Sequence, residues 1–173
     1  KVLIIDADLG MANVDVILGM YPKYTIYDVL FHKYPLKDAV ITGYDGIRII
    51  PGGSGMLELA TLDIQQQEAF AEQFLAFEDI DIILIDTGAG ITKNSLSFIA
   101  FSQELILITT PEPPALTDAY SAIKIMVQYK FDKKVKVIVN RCSDSTSGDS
   151  IYGRLNNTSK TFLNKPLERL GYV

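Results

Sequence analysis

Ile80-Asp81-Ile82-Ile83-Leu84-Ile85-Asp86-Thr87-Gly88-Ala89-Gly90 decides the fold of this chain. A short apolar run, too brief for a helix, ends on an acid and passes into a glycine-rich turn. Continuous apolar runs of this length suit strands buried on both faces. Four more stretches share the texture: Val2–Ile5, Ile47–Ile50, Leu105–Thr109 and Val135–Val139.

Longer amphipathic stretches separate these runs. Ile64–Phe77 sets Ala69, Phe70, Phe74 and Phe77 at helical spacing, and Leu116–Tyr129 does the same with Ala119, Ile123, Met126 and Val127. Asn94–Phe101 is a shorter candidate helix, and Ser150–Leu170 a more polar one. Strand–helix alternation implies an α/β fold with a mostly parallel sheet and helices on both faces. No repeat, low-complexity tract or linker interrupts residues 1–173, so a single domain is expected. Lys1 enters a strand directly, and Leu170-Gly171-Tyr172-Val173 reads as the end of a helix, so both ends are expected to be cut.

With 173 residues, such a domain buries roughly two-thirds of its unfolded surface. Apolar residues at 48% and charged residues at 21% describe an ordinary globular protein. The net charge of -5 argues against sequence-independent DNA binding, which needs Lys and Arg to neutralise phosphates. The lone Cys142 excludes an internal disulfide framework and makes a reducing cytosol the natural compartment; it reads as a buried or half-buried residue. His32, with no second His or nearby Cys for zinc, reads as a surface or boundary residue. No apolar run reaches the ~18 residues that span a bilayer, and no signal peptide is expected.

In open α/β sheets, ligands bind beyond the carboxyl ends of the strands. Those ends carry Asp6 and Asp8, Pro51-Gly52-Gly53-Ser54-Gly55, Asp86-Thr87-Gly88-Ala89-Gly90, Thr110-Pro111-Glu112-Pro113, and Asn140-Arg141. Asp86 before its glycines has the Walker B arrangement, in which a carboxylate holds magnesium through water beside phosphates. Gly88 and Gly90 let backbone N–H groups approach a terminal phosphate. The competing reading is a strand-ending turn with an Asp cap. Asp6 and Asp8, at i and i+2, would share a strand face, where two carboxylates repel unless a cation or donor sits between them. A polar loop with exposed acids is the alternative. Asn140-Arg141 is either a reader of a base edge or an Asx-type turn. Pro51–Gly55 reads as a plain turn, because it lacks the Lys and Ser/Thr of a P-loop.

Taken together, three segments resemble one family. Asp-Ala-Asp-Leu-Gly-Met-Ala-Asn-Val-Asp (residues 6–15) resembles the switch I segment of MinD/ParA-type deviant-Walker-A P-loop ATPases. Ile-Asp-Thr-Gly-Ala-Gly-Ile (residues 85–91) resembles their Walker B and switch II, and residues 109–120 resemble the segment after the next strand. The Pro51-Gly-Gly-Ser-Gly and Asp86-Thr-Gly-Ala-Gly forms are similar to the FlhG/FleN branch of flagellar-number regulators. The resemblance covers essentially the whole chain. It implies a P-loop NTPase fold of the SIMIBI, MinD-like kind and an ATP-dependent, magnesium-dependent dimerisation switch. Asp86 would hold the magnesium water shell, Asp6 would support it, and Asp8 would orient or deprotonate the attacking water. Gly88 belongs to the same turn, and Gly90 would offer its N–H to the γ-phosphate. Asn140 and Arg141 would contact adenine, and Glu112 and Asp118 match positions near the nucleotide-facing dimer interface.

The family's Gly-rich loop with its two lysines is absent from this sequence and is expected upstream of Lys1, with one helix between; without it, the chain as given is expected to be inactive. The resemblance also implies a homodimer, flagellar assembly or regulatory partners such as the flagellar GTPase FlhF, and reversible association with the inner face of the cell membrane through a C-terminal helix not present here. Nucleic acid is not an expected partner. A ParA-like DNA-partition ATPase shares the fold and ATP site. A phospho-receiver domain is the rival from another class, but it needs a Lys where Asn140-Arg141 stands. A nicotinamide-dependent dehydrogenase would need a Gly-x-Gly-x-x-Gly after an early strand.

Overall fold

A computed structural model describes residues 1–8, 12–53, 69–70, 72–74 and 77–173. They form two compact units, Lys1–Phe98 and Ile99–Val173.

In the first unit, strands β1 (Val2–Asp6), β2 (Ile41–Thr42), β3 (Arg48–Ile50) and β4 (Ile82–Asp86) are ordered β2-β3-β1-β4. β1 pairs parallel with β3 and β4, and β2 closes the other edge antiparallel. The register sets Ile5 against Ile50 and Asp6 against Asp86. Side chains alternate faces along a strand, so Leu3, Ile5, Ile83 and Ile85 meet the core that also holds Ile26, Val29, Leu36, Ala39, Phe70, Phe77 and Phe98. Helix α1 (Val14–Ile17) follows β1, and α2 (Ile26–His32) follows it. A capping pair starts α2, where Thr25 N donates to Asp28 Oδ2 at 2.9 Å. Its C-terminal His32 is exposed and pairs with Asp28 one turn earlier. Helix α3 (Lys93–Phe101) follows β4.

The second unit is an all-parallel sheet, β5 (Glu104–Thr109), β6 (Lys134–Val139) and β7 (Glu168–Tyr172), in the order β5-β6-β7. Helix α4 (Pro113–Gln128) opens on prolines, which suit a first turn whose N–H groups have no partner in the helix. Ala119, Ile123 and Met126 fall on one face and are buried. Helix α5 (Ser145–Leu163) starts where the Asp144 side chain accepts from Ser147 N at 2.7 Å. It ends at Asn164, whose φ of +50° is left-handed. Gly148, Ile151, Leu155 and Ser159 form its buried stripe.

Several sequence expectations shift. The polar helix expected over Ser150–Leu170 begins at Ser145 and stops at Leu163, and Glu168–Tyr172 is a strand. Pro166 explains the stop: it disfavours a helical Lys165 and supplies no N–H of its own. The chain therefore does not close on a helix end. The runs expected to be buried on both faces are covered on one only in β4 and β5, where Ile82, Leu84, Ile106 and Ile108 are exposed. Each of those strands is an edge of its sheet. Most of the expected Ile64–Phe77 helix lies outside the described residues, although 69–70 and 72–74 are helical. Cys142 is half-buried, with its thiol directed at Val139 O. No described helix is long and apolar enough to cross a membrane.

Burial makes a contrast that can be measured. Ile5→Ala, at a position with no exposed surface, is expected to lower unfolding stability by about 2–5 kcal/mol. Ile17→Ala, at a position 74% exposed, is expected to stay within about 0.5 kcal/mol of the parent. Urea unfolding of both variants checks this.

Candidate functional site

The in-register pairing of β1 with β4 brings Asp6 and Asp86 side by side at the carboxyl end of the first sheet. The main chain continues the contact, since Ala7 N donates to Asp86 O at 2.7 Å. Asp6 is buried, and its carboxylate accepts from three backbone amides: Asp8 N at 3.2 Å, Asn13 N at 2.9 Å and Val14 N at 3.1 Å. Asp8 lies past the end of the strand. The strand-face alternation invoked from sequence therefore does not relate it to Asp6; the hydrogen bond from its own N–H does.

Asp8 instead reaches the turn after β4. A Cβ built on Gly88 would sit 2.8 Å from Asp8 Oδ1 and 3.0 Å from its Cγ. Any larger residue there would push that carboxylate from its present seat. Gly90, with φ +77°, occupies the left-handed region where a side chain is strained, and no atom lies within 4 Å of the space a Cβ would take. Asp86 is exposed at the mouth of this group. Desolvation at the strand end, and after it the charges of Asp6 and Asp8, raise its pKa above the ordinary carboxylate value. The three acids thus make a concentration of negative charge beside a glycine turn. Among the described residues, no group of three or more His, Cys, Asp or Glu is spaced to hold a metal ion directly. The residues fit a cation held through water and shared with another ligand's oxygens better than a protein-only cage.

The second unit gathers the remaining expected residues at its own strand ends. Asn140 N donates to Thr109 O at 2.8 Å, and the Asn140 side-chain oxygen accepts from Arg141 N at 2.8 Å. Arg141 is left-handed, with φ +59°. The Asn140 side-chain oxygen is thus held by the very next amide rather than by the one two residues on that defines an Asx turn, and its nitrogen is left to donate. Glu112 is the N-cap residue of α4, and the Thr110 hydroxyl holds its pKa below the usual value, with the Arg141 charge acting in the same direction. Asp118 is exposed further along α4.

Two features escaped the sequence reading. The Asn13 and Val14 amides hold Asp6, although the Asn13 side chain itself makes no cap. Thr109 Oγ1, at the end of β5, is buried and has no hydrogen-bond partner among the described residues. Neither leaves a sequence signal, because both depend on which backbone groups meet. A cavity of about 300 Å³ lined by Lys37, Val40, Arg48, Phe77 and Asp79 lies at the opposite ends of the strands. There the Arg48 guanidinium, and then Lys1, hold the Asp79 carboxyl well below the usual range.

A mostly parallel sheet with acids and glycines at its carboxyl edge is a framework on which phosphate-bearing ligands bind, and solved structures share the fold. The MinC:MinD cell division complex of Aquifex aeolicus aligns with all of this chain and 68% of its own, at TM-score 0.75 and 25% identity. MinD of Pyrococcus horikoshii, complexed with Mg-ADP, aligns with 88% of this chain and 64% of its own, at TM-score 0.69 and 29% identity. The antiactivator FleN of Pseudomonas aeruginosa is 33% identical over 174 residues, covering 100% of this chain and 62% of FleN. The flagellum site-determining protein YlxH of Helicobacter pylori is 33% identical over 161 residues, covering 92% of this chain and 54% of YlxH. No family model matches the sequence. The chain belongs to the MinD/ParA-type P-loop ATPases and is similar to their FleN/YlxH (FlhG) members. It spans about three-fifths of FleN and just over half of YlxH. The family replaces the receiver and dehydrogenase readings.

The raised pKa of Asp86 has a consequence for stability. Its proton is held to higher pH in the folded chain than in the unfolded one, whose value is 3.8. Across the window above that value, folded stability therefore falls as pH rises. Asp86→Asn removes the charge. Without divalent cations the variant is expected to melt above the parent at pH 7, the gap closing under acid conditions where both forms are neutral. Thermal melts in chelator at both pH values check it, and a variant that melts below the parent at pH 7 contradicts it.

Proposed function

We propose that residues 1–173 are one ATPase domain of a protein that binds and hydrolyses ATP as a dimerisation switch governing flagellar number or placement. The observation that carries the reading is the register that sets Asp6 beside Asp86, with the Asp8 carboxylate against Gly88. A magnesium ion with ATP would supply the positive charge this acidic cluster lacks and polarise the phosphates. Asp86, the exposed acid, faces that cation through water, and Asp6 contributes its charge from behind. Asp8 orients the attacking water and accepts its proton. Gly90 presents its N–H toward the terminal phosphate. By the family resemblance Asn140 and Arg141 would contact adenine; the Asn140 amide oxygen is engaged by Arg141 N, which leaves its nitrogen to donate. Glu112 and Asp118 lie toward a second subunit.

The phosphate cradle is proposed to lie in a part of the protein outside this sequence. In support, the chain spans only 62% of FleN, and β4 is an edge strand with exposed apolar residues. Parallel strands of this type are normally buried on both faces. The flagellar role rests on the likeness to FleN and YlxH. Reversible attachment to the inner membrane face, by a helix outside these residues, would follow from pairing. Two marginal amphipathic anchors gain roughly 10²–10⁴ in avidity when both engage.

The test uses the full-length protein. Asp8→Ala is expected to keep Mg-ATP affinity, to lower turnover by roughly 10²-fold or more, and to accumulate as the ATP-bound dimer in light scattering. Asp86→Ala is expected to lose magnesium-dependent binding itself in calorimetry. Parental turnover by Asp8→Ala removes its assigned role, and unchanged magnesium dependence in Asp86→Ala removes the metal site.

A further inference from the structure

The loop that carries Asp8 leaves β1 at Asp6 and returns to Asp6 at the start of α1. Asp6 is 1% exposed, and both its carboxylate oxygens are engaged by main chain. Oδ1 accepts from Asp8 N at 3.2 Å, while Oδ2 accepts from Asn13 N at 2.9 Å and Val14 N at 3.1 Å. The first amides of a helix have no acceptor within it. The N-cap Asn13 side chain, which would ordinarily serve the second or third helical amide, makes no such bond. The amides of Asn13 itself and of Val14 find their acceptor on Asp6, seven and eight positions earlier, at the end of a central strand. Beyond this anchor, α1 and the residues after it present Val16, Ile17, Leu18 and Tyr21 at 73%, 74%, 45% and 96% exposure.

We propose that Asp6 is a positioning residue: it pins Asp8 and the start of α1 to the end of β1 as one body, so that the water-orienting carboxylate and the exposed apolar segment move together. The proposal rests on the reading of Asp8 given above. It assigns Asp6 a task beyond adding charge to the magnesium shell. A carboxylate suits the task because it presents acceptors on both sides. An amide in its place would present an acceptor on one side and a donor on the other. Asp6→Asn therefore keeps the shape and still satisfies one set of N–H groups, but it turns its NH₂ toward the other set. Because Oδ2 serves two amides and Oδ1 one, the amide is expected to keep Asn13 and Val14 and to release Asp8.

Two measurements on the full-length protein decide the matter. The first needs no variant. The amides of Asn13 and Val14 are expected to exchange slowly with deuterium in the nucleotide-free parent, although a four-residue helix offers them no acceptor of its own; exchange at the rate of an exposed loop overturns the proposal. The second compares Asp6→Asn with Asp8→Asn. Displacing a reacting group by about 1 Å costs roughly 10²-fold in rate. Asp6→Asn is therefore expected to lower kcat on that scale, a larger fold-change than the one its lost charge makes in the Kd for Mg-ATP. It should also speed exchange at the Asp8 amide and add little to the defect of Asp8→Asn in the double variant. Parental kcat in Asp6→Asn, or a loss confined to magnesium-dependent affinity, overturns the positioning role. Parental turnover in Asp8→Asn defeats the reading of Asp8 instead, and the exchange of the Asn13 and Val14 amides still decides whether Asp6 pins the loop.

Discussion

β1 and β4 run parallel and in register from Val2 against Ile82 to Asp6 against Asp86, and the site depends on that alignment. Side chains repeat every two residues, so a slip of one residue would turn Leu3 and Ile5 out of the core together with everything beyond them. Burial of Leu3 and Ile5, both with no exposed surface, thus enforces the register that aligns the two acids. The apolar half of each strand pins the polar end to within one residue. Packing of the core and placement of the carboxylates are one event in this fold.

From that alignment the rest of the site follows by local geometry. Asp6 is turned inward and consumed by three amides, so it acts on its surroundings through the backbone as well as through its charge. Asp8 is brought across to Gly88, where the absence of a Cβ lets it approach the turn that follows Asp86. Asp86 alone remains exposed, with its proton held more firmly by desolvation and by two negative neighbours. Like charges gathered this way are costly unless a cation joins them. The arrangement is therefore poised to gain stability when one arrives.

Much of this was legible in the sequence because it is periodic or punctuated. The runs ending at Ile5, Ile50, Ile85, Thr109 and Val139 marked the strands to within two residues at each end, since a short β-branched apolar run bounded by polar or turn residues has few other uses. Ala119, Ile123 and Met126 marked the buried face of α4. The two short helices between β1 and β2 were missed. Each is shorter than two full turns of clear periodicity, although Thr25 and Asp28 carry the cap signal of α2. Strand β7 was hidden in a polar stretch whose helical reading overlooked Pro166. The acids at 6, 8 and 86 were visible as residue types at strand ends. The three amides on Asp6, the seat of Asp8 on Gly88 and the buried Thr109 hydroxyl were not, because such contacts depend on how backbone segments distant in sequence come together.

The central claim, that the acids at the ends of β1 and β4 receive a divalent cation with its nucleotide, is met most directly by paramagnetic relaxation. Manganese replaces magnesium in an ATP complex of the full-length protein, and amide signals are followed by NMR. The account predicts that the amides of Ala7, Asp8 and residues 86–90 broaden beyond detection, while Arg48, at the start of β3, and Asp79, just before β4, keep their intensity. Broadening centred on Arg48 and Asp79, or none at the ends of β1 and β4, would contradict it.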